Sequence, residues 1–283
     1  MKVYAVNAGH FKLDGGAMFG VVPKSIWNKL NPADANNMCS WAMRCLLIED
    51  GKRLILVDNG VGNKQDDKFF SYYYLHGEDT LEKSLRRYGF TANDITDVIL
   101  THLHFDHCGG SIEYNSDKSK LQPAFKNAIF YSNEKHWNWA VQPNAREKAS
   151  FLKENILPIQ ESGQLKFLDP SKEFAPGISF LEVNGHTESM MLPLVKQGQN
   201  TLAYMADLIP SSHHLPLPYV MAYDTRPLET LKEKQLILNR ALEENWTLMF
   251  EHDPAVECVQ LERTERGIRA KMTLRTDELN QHH

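Results

Sequence analysis

The chain has 283 residues, 42% hydrophobic and 24% charged, the mix of an ordinary globular protein and not of a disordered one. Lys and Arg number 31 against 36 Asp and Glu, a net charge of −5, so no basic field exists to hold a phosphate backbone, and nucleic acid is excluded as a partner. No apolar run approaches the roughly 18 residues that a membrane span needs, and the N-terminus lacks the apolar stretch and small-residue cleavage site of a secretion signal, which points to a cytoplasmic protein.

Val3–Asn7 predicts an opening strand. Residues 9–40 then run irregularly, with Gly15, Gly16, Gly20, Pro23 and Pro32 set among Met18, Phe19, Val21, Val22, Ile26 and Trp27. That apolar content predicts a packed N-terminal flap. Met43–Glu49 and Arg53–Asp58 read as a hairpin turning at Asp50-Gly51. Leu81–Tyr88 has helical spacing and stops at Gly89, and Thr91–Asp94 carries a capping signal. Val98–Thr101 is a short apolar run that ends directly at His102. Ala128–Tyr131 predicts a strand, and Glu134–Val141 and Arg146–Leu157 predict helices.

The second half repeats the pattern. Ile178–Val183 leads into Gly185-His186-Thr187, and Met190–Val195 pairs with Thr201–Ala206, which ends at Asp207. Thr225-Arg226-Pro227 opens a helix running to Glu244. Trp246–Phe250 ends at Glu251-His252-Asp253, and Val256–Leu261 with Ile268–Thr273 forms a closing strand pair. No repeat or composition break marks a linker, so residues 1–283 read as a single mixed α/β domain. Gln281-His282-His283 reads equally as a native end or an expression remnant. Cys39, Cys45, Cys108 and Cys258 show no CxxC spacing and are expected to be reduced thiols.

Of twelve histidines in the chain, three fall within residues 102–107. His102-Leu103-His104-Phe105-Asp106-His107 places four potential ligands at the end of an apolar strand. On an extended strand end His102 and His104 point the same way, and a turn after Phe105 aims Asp106 and His107 at a second point nearby. Imidazole nitrogen and carboxylate oxygen suit zinc, and also iron, manganese or cobalt. So many coordinating groups packed together repel one another or lose hydration unless an ion joins them. His186, Asp207 and His252 each lie just past an apolar run. Each alone reads more readily as a structural residue than as a ligand; together with the cluster they supply further donors.

This ordered set, from Asp58 through the 102–107 cluster to Gly185-His186-Thr187, Ala206-Asp207 and His252, resembles the metallo-β-lactamase-fold hydrolase superfamily. The resemblance implies an αββα four-layer sandwich, with two facing mixed β-sheets and the metal site at one edge. It implies two divalent metal ions: His102, His104 and His186 on one, Asp106, His107 and His252 on the other, and Asp207 bridging. Asp58 is then a hydrogen-bonding support of the metal loop. The layout is most similar to the lactonase and methyl-parathion-hydrolase-like branch, which implies a homodimer with an apolar mouth.

The chemistry expected of two such ions, most simply zinc, is hydrolysis of a small lactone or ester of the acyl-homoserine-lactone type by activated water. Asp106 and Asp207 are the catalytic carboxylates in this reading. Phosphotriester hydrolysis, thioester hydrolysis and a mononuclear iron persulfide dioxygenase are the alternatives, and a metal-binding scaffold is a further one. Met18, Phe19, Trp27 and His214 are expected to contact a small-molecule substrate. At Pro210, three residues past the bridging Asp, many lactonases of this branch carry Tyr, which leaves Tyr223 and His214 as candidates for that role.

Overall fold

A first strand longer than its apolar run opens the chain. In the computed structural model, which describes residues 1–280, β1 spans Lys2–Asp14 and pairs antiparallel with β2, Met38–Asp50. Gln281-His282-His283 lies outside the described residues. The register slips between Asn7 and His10, where Gly9 takes φ 126°, so the period-2 alternation breaks and the second half of β1 escapes pattern reading. Residues 9–14 and 38–40 are therefore strand, and the expected flap contracts to the segment between them, built on the short helices α1 (Gly15–Phe19) and α2 (Lys24–Trp27).

β3 (Arg53–Val57) begins where expected, and the turn before it is Gly51-Lys52, one residue later than expected, because Asp50 still pairs with Arg53. Helices α3 (Asp67–Tyr73) and α4 (Leu81–Arg87) are capped by the side chains of Asp66 and Thr80. Next come β4 (Asp97–Ile99), the single-turn α5 (Phe105–Cys108) and a small ribbon of β5 (Ile112–Tyr114) and β6 (Leu121–Pro123). The half closes with β7 (Ile129–Ser132), α6 (Glu134–Val141), α7 (Lys153–Glu161) and β8 (Leu165–Phe167). The helix expected from Arg146 starts only at Lys153. Asn144 takes the Arg146 and Glu147 N–H groups on its side chain, which locks that stretch into turns.

The second half supplies β9 (Ile178–Val183), β10 (Met190–Gln197), β11 (Asn200–Tyr204), α8 (Pro227–Glu243) and β12 (Thr247–Met249). Strands β13 (Cys258–Thr264) and β14 (Gly267–Leu274) and helix α9 (Thr276–Leu279) complete it. One sheet has the order β1-β2-β3-β4-β7-β8, the other β14-β13-β12-β11-β10-β9, and both mix parallel with antiparallel pairs.

Alternation along the strands sorts the core into layers. Leu46, Ile48, Ile55, Val57 and Ile99 of the first sheet share a core with Phe180, Leu192, Leu202 and Leu248 of the second and with Ile237 and Leu238 of α8. The intervening residues Cys45, Leu47, Leu54, Leu56 and Val98 instead meet Leu85, Trp137, Ile156 and Ile159 of α4, α6 and α7. The result is helices, sheet, sheet, helix: the four-layer αββα sandwich. All four cysteines are buried free thiols. Among the described residues no helix is long and apolar enough to cross a membrane.

Candidate metal centre

Strands β3, β4, β9, β11 and β12 deliver Asp58, His102, His186, Asp207 and His252 to one rim of the sandwich, each within three residues of a strand end. Asp58 and Ala206 take positive φ, 56° and 40°, so the backbone turns sharply where the site begins. His104 ends the approach and caps α5, whose single turn carries Asp106 and His107. Thus the seven side chains expected as ligands, scattered over the chain, are brought together; all are buried.

They form two adjoining groups, one of His102, His104, His186 and Asp207, the other of Asp106, His107 and His252. In the first, His104 Nδ1 lies 3.1 Å from both His102 Nε2 and His186 Nε2, and Asp207 Oδ2 lies 3.0 Å from His186 Nε2. In the second, His252 Nε2 is 3.3 Å from His107 Nε2, with Asp106 Oδ2 3.7 Å from each. Asp207 spans both, its Oδ2 3.3 Å from His107 Nε2 and its Oδ1 3.1 Å from His252 Nε2.

The ring nitrogens that face away from the centre are turned to groups of the protein. His186 Nδ1 donates to Asp224 Oδ1 at 2.8 Å, and His252 Nδ1 to the Ala42 carbonyl at 2.8 Å. His107 Nδ1 lies between Glu251 at 3.0 Å and Asp58 at 3.2 Å. Thr101 Oγ1 donates to Asp58 at 2.6 Å, so it accepts from His102 Nδ1 at 3.1 Å. His104 Nε2 faces Glu147 Oε1 at 3.5 Å. A neutral imidazole carries one N–H, so in their neutral forms these rings would point inward lone pairs at one another.

That arrangement requires positive charge at its centre. Burial holds His102 and His104 below the usual histidine range. Their inward nitrogens, 3.1 Å apart, are therefore two acceptors in contact. Burial also pulls on His186 and His252, but the Asp207 carboxylate outweighs it and lifts them to about 10 and about 9. Without a cation the pocket gathers protons. The donor set, lone pairs of nitrogen and carboxylate oxygen in two adjoining groups, fits a pair of divalent metal ions.

Asp58 sits where the sequence places it, gripping the Thr101 N–H at 2.8 Å as well as the Thr101 hydroxyl. Three further supports were not expected from the sequence: Asp224 and Glu147, which come from segments with no fixed spacing to any ligand, and Glu251, which directly precedes His252 but turns to His107. Glu147 accepts from Trp139, Asn144 and Thr187. Despite its burial, these donors and His104 hold its carboxyl down at about 2.

A cavity of about 310 Å³ opens over the centre. Met18 lines it, together with Leu13, Tyr73, Phe105, Met221 and Tyr223. Phe19, Trp27 and His214 do not. Phe19 stacks on Trp27 and on His214, with centroids 5.5 and 4.7 Å away, forming an apolar block behind the wall. His214 is wholly buried, its nitrogens held by Ser211 Oγ and the Met18 carbonyl, so it cannot stand in at the Pro210 position; Tyr223, at the cavity, can reach a ligand.

A family model described as the metallo-beta-lactamase superfamily matches residues 44–252. N-acyl homoserine lactonase of Bacillus cereus is 25% identical over 265 residues, covering 89% of this chain and 93% of that protein. Among solved structures, a probable metal-dependent hydrolase from Staphylococcus aureus superposes with a TM-score of 0.87 at 27% identity over 96% of each chain. AidC, a dizinc quorum-quenching lactonase in complex with a product, superposes at 0.75 with 22% identity, covering 96% of this chain and 93% of its own.

Proposed function

The chain belongs to the metallo-β-lactamase superfamily, and from that premise we propose that it is a dizinc hydrolase that opens a small lactone or ester of the acyl-homoserine-lactone type. The observation that carries this reading is the pair of adjoining donor groups sharing Asp207 beneath a half-apolar cavity. His102, His104 and His186 would hold one ion and Asp106, His107 and His252 the other. When bound, such a pair polarises a substrate oxygen and lowers the pKa of water toward neutrality.

The chain's own residues do the rest. Leu13, Met18, Phe105 and Met221 form an apolar wall suited to an acyl chain. Burial, helped by the Asp106 charge, pushes the Tyr73 phenol up to about 12 and raises Tyr223 as well, so both stay protonated and donate to a substrate oxygen. Asp106 is the carboxylate placed to move a proton to the departing alkoxide. Glu147 also lines the cavity, but its donors hold it ionised, which leaves it a fixed acceptor.

The test is a hydrolysis panel of acyl lactones with short and long chains, simple esters and phosphotriesters, on protein whose metal content is measured first. Two zinc ions per chain with ring-opening of lactones is the expected result, and Asp207→Ala should lose both. Two ions with no turnover, or turnover of phosphotriesters alone, overturns the substrate assignment. One iron with oxygen uptake overturns the hydrolase.

A further inference from the structure

Helix α8 buries Thr230, Lys234, Ile237, Leu238 and Ala241, a face with the i, i+4, i+7 spacing of a core-directed stripe. Lys234 is the exception in that stripe. It is fully buried, and among the described residues no carboxylate lies within ion-pair distance of its ammonium. A lysine in that position is costly unless its donors are satisfied.

Its partners are four backbone carbonyls of one loop. Lys234 Nζ donates to His214 O at 2.7 Å, Tyr219 O at 2.8 Å and Pro216 O at 3.0 Å, and it lies 3.4 Å from Leu217 O. Burial lowers its pKa to about 7, opposed by the Asp224 carboxylate. The carbonyls act in the same sense as Asp224, since each turns its negative end to the ammonium.

The same loop serves the cavity. It begins beside the metal centre, where Ser212 is held by Asp253 next to His252. Its upper side docks on α1 through Ala222 N to Ala17 O at 2.8 Å. It then presents Met221 and Tyr223 to the cavity and ends at Asp224, the partner of His186. Arg146 donates to the Ala222 and Asp224 carbonyls, which ties the far end independently of Lys234.

We infer that Lys234 is a positioning residue whose ammonium is the built-in cation of a carbonyl cage, setting the shape of loop 211–224 and hence the substrate wall formed by Met221 and Tyr223. The inference rests on the reading of that cavity as the substrate site. It has a direct chemical consequence: with the side chain removed, the cage should accept a small free ammonium or potassium ion, as carbonyl rings elsewhere do.

The test compares Lys234→Ala, which empties the cage, with Lys234→Met, which fills it without a donor. Melting temperature, zinc per chain, and kcat and KM on a long-chain acyl lactone are measured in sodium, potassium and methylammonium chloride. In sodium, KM should rise about tenfold in both variants, the worth of one lost charge-assisted hydrogen bond, with zinc per chain unchanged. Methylammonium should lower KM and raise the melting temperature of Lys234→Ala but not of Lys234→Met. Wild-type KM in both variants, or a Lys234→Ala protein indifferent to methylammonium in both readouts, overturns the assignment. If Lys234→Ala does not fold, Lys234→Gln, which keeps one donor group, takes its place: an intermediate KM supports the cage and a wild-type KM overturns it. If the wild-type protein turns over no lactone or ester, the reading of the cavity fails by itself, and the methylammonium response of the melting temperature still decides the cage.

Discussion

Every imidazole at the centre turns one nitrogen toward a protein partner, and those partners decide which nitrogen faces the centre. Asp224 does this for His186, and its loss frees the ring to rotate and to change tautomer. Asp224→Ala should weaken metal binding about 10–100-fold, measured by competition with a chelator, while the fold survives. A second consequence concerns protons. In the metal-free protein His186 and His252 sit at about 10 and about 9, both above 7, so each carries a proton on the nitrogen that a metal ion would take. Loading at pH 7 should therefore release at least the protons of these two residues, and affinity should fall as pH falls. Calorimetry in buffers of different ionisation enthalpy reads the number; no release would contradict the tautomer scheme. At this scale the sequence was legible where ligands are neighbours, as in residues 102–107. It was silent on Glu147, Asp224 and Lys234, single polar residues whose meaning depends on contacts 15 to 40 positions away.

Secondary-structure elements were legible wherever the apolar pattern ran unbroken, as in the second half of β2 and in β3, β9 and β10. Reading failed where a local irregularity interrupted the pattern: the Gly9 slip in β1 and the Asn144 turn ahead of α7. The flap shows a further limit. Its residues announce burial, but not which of them face the cavity. Trp27 and Phe19 belong to the packed block behind the wall, so Trp27→Ala should cost about 3–5 kcal/mol of stability in denaturant titration, whereas Met18→Ala should act on KM. The loop carrying Asp106 and His107 is held by backbone against backbone: Asn59 N donates to His107 O at 2.8 Å and Gly110 N to Gly60 O at 2.8 Å. A Cβ on Gly109 would fall 2.2 Å from the Val61 carbonyl oxygen, where no flexible side chain can yield. Gly109→Ala should cost about 1–3 kcal/mol and lower the metal bound per chain, checked by melting temperature and elemental analysis.

For the whole molecule, the four-layer architecture was legible only through the family resemblance of the ligand motifs; the order of strand ends and ligands by itself pointed no further than to one shared rim. Sheet order was not readable, because pairing between strands distant in sequence is a tertiary choice. The finished topology is simple: β1–β4, β7 and β8 build one sheet, with β5 and β6 a side ribbon, and β9–β14 build the other, with the crossing made once, between Phe167 and Ile178. The donors divide along the same line, His102, His104, Asp106 and His107 from the first half, His186, Asp207 and His252 from the second. Ser171, Lys172 and Glu173 in the connecting stretch are exposed. Severing the chain there would yield two fragments, each with a fraction of the coordination sphere and one greasy sheet face. Hydrophobic attraction would bring them into loose association, while a divalent metal ion would enforce correct alignment, so sedimentation should show tighter complementation with the ion than with chelator. The protein thus contains the makings of a split sensor in which a dissolved cation is the glue.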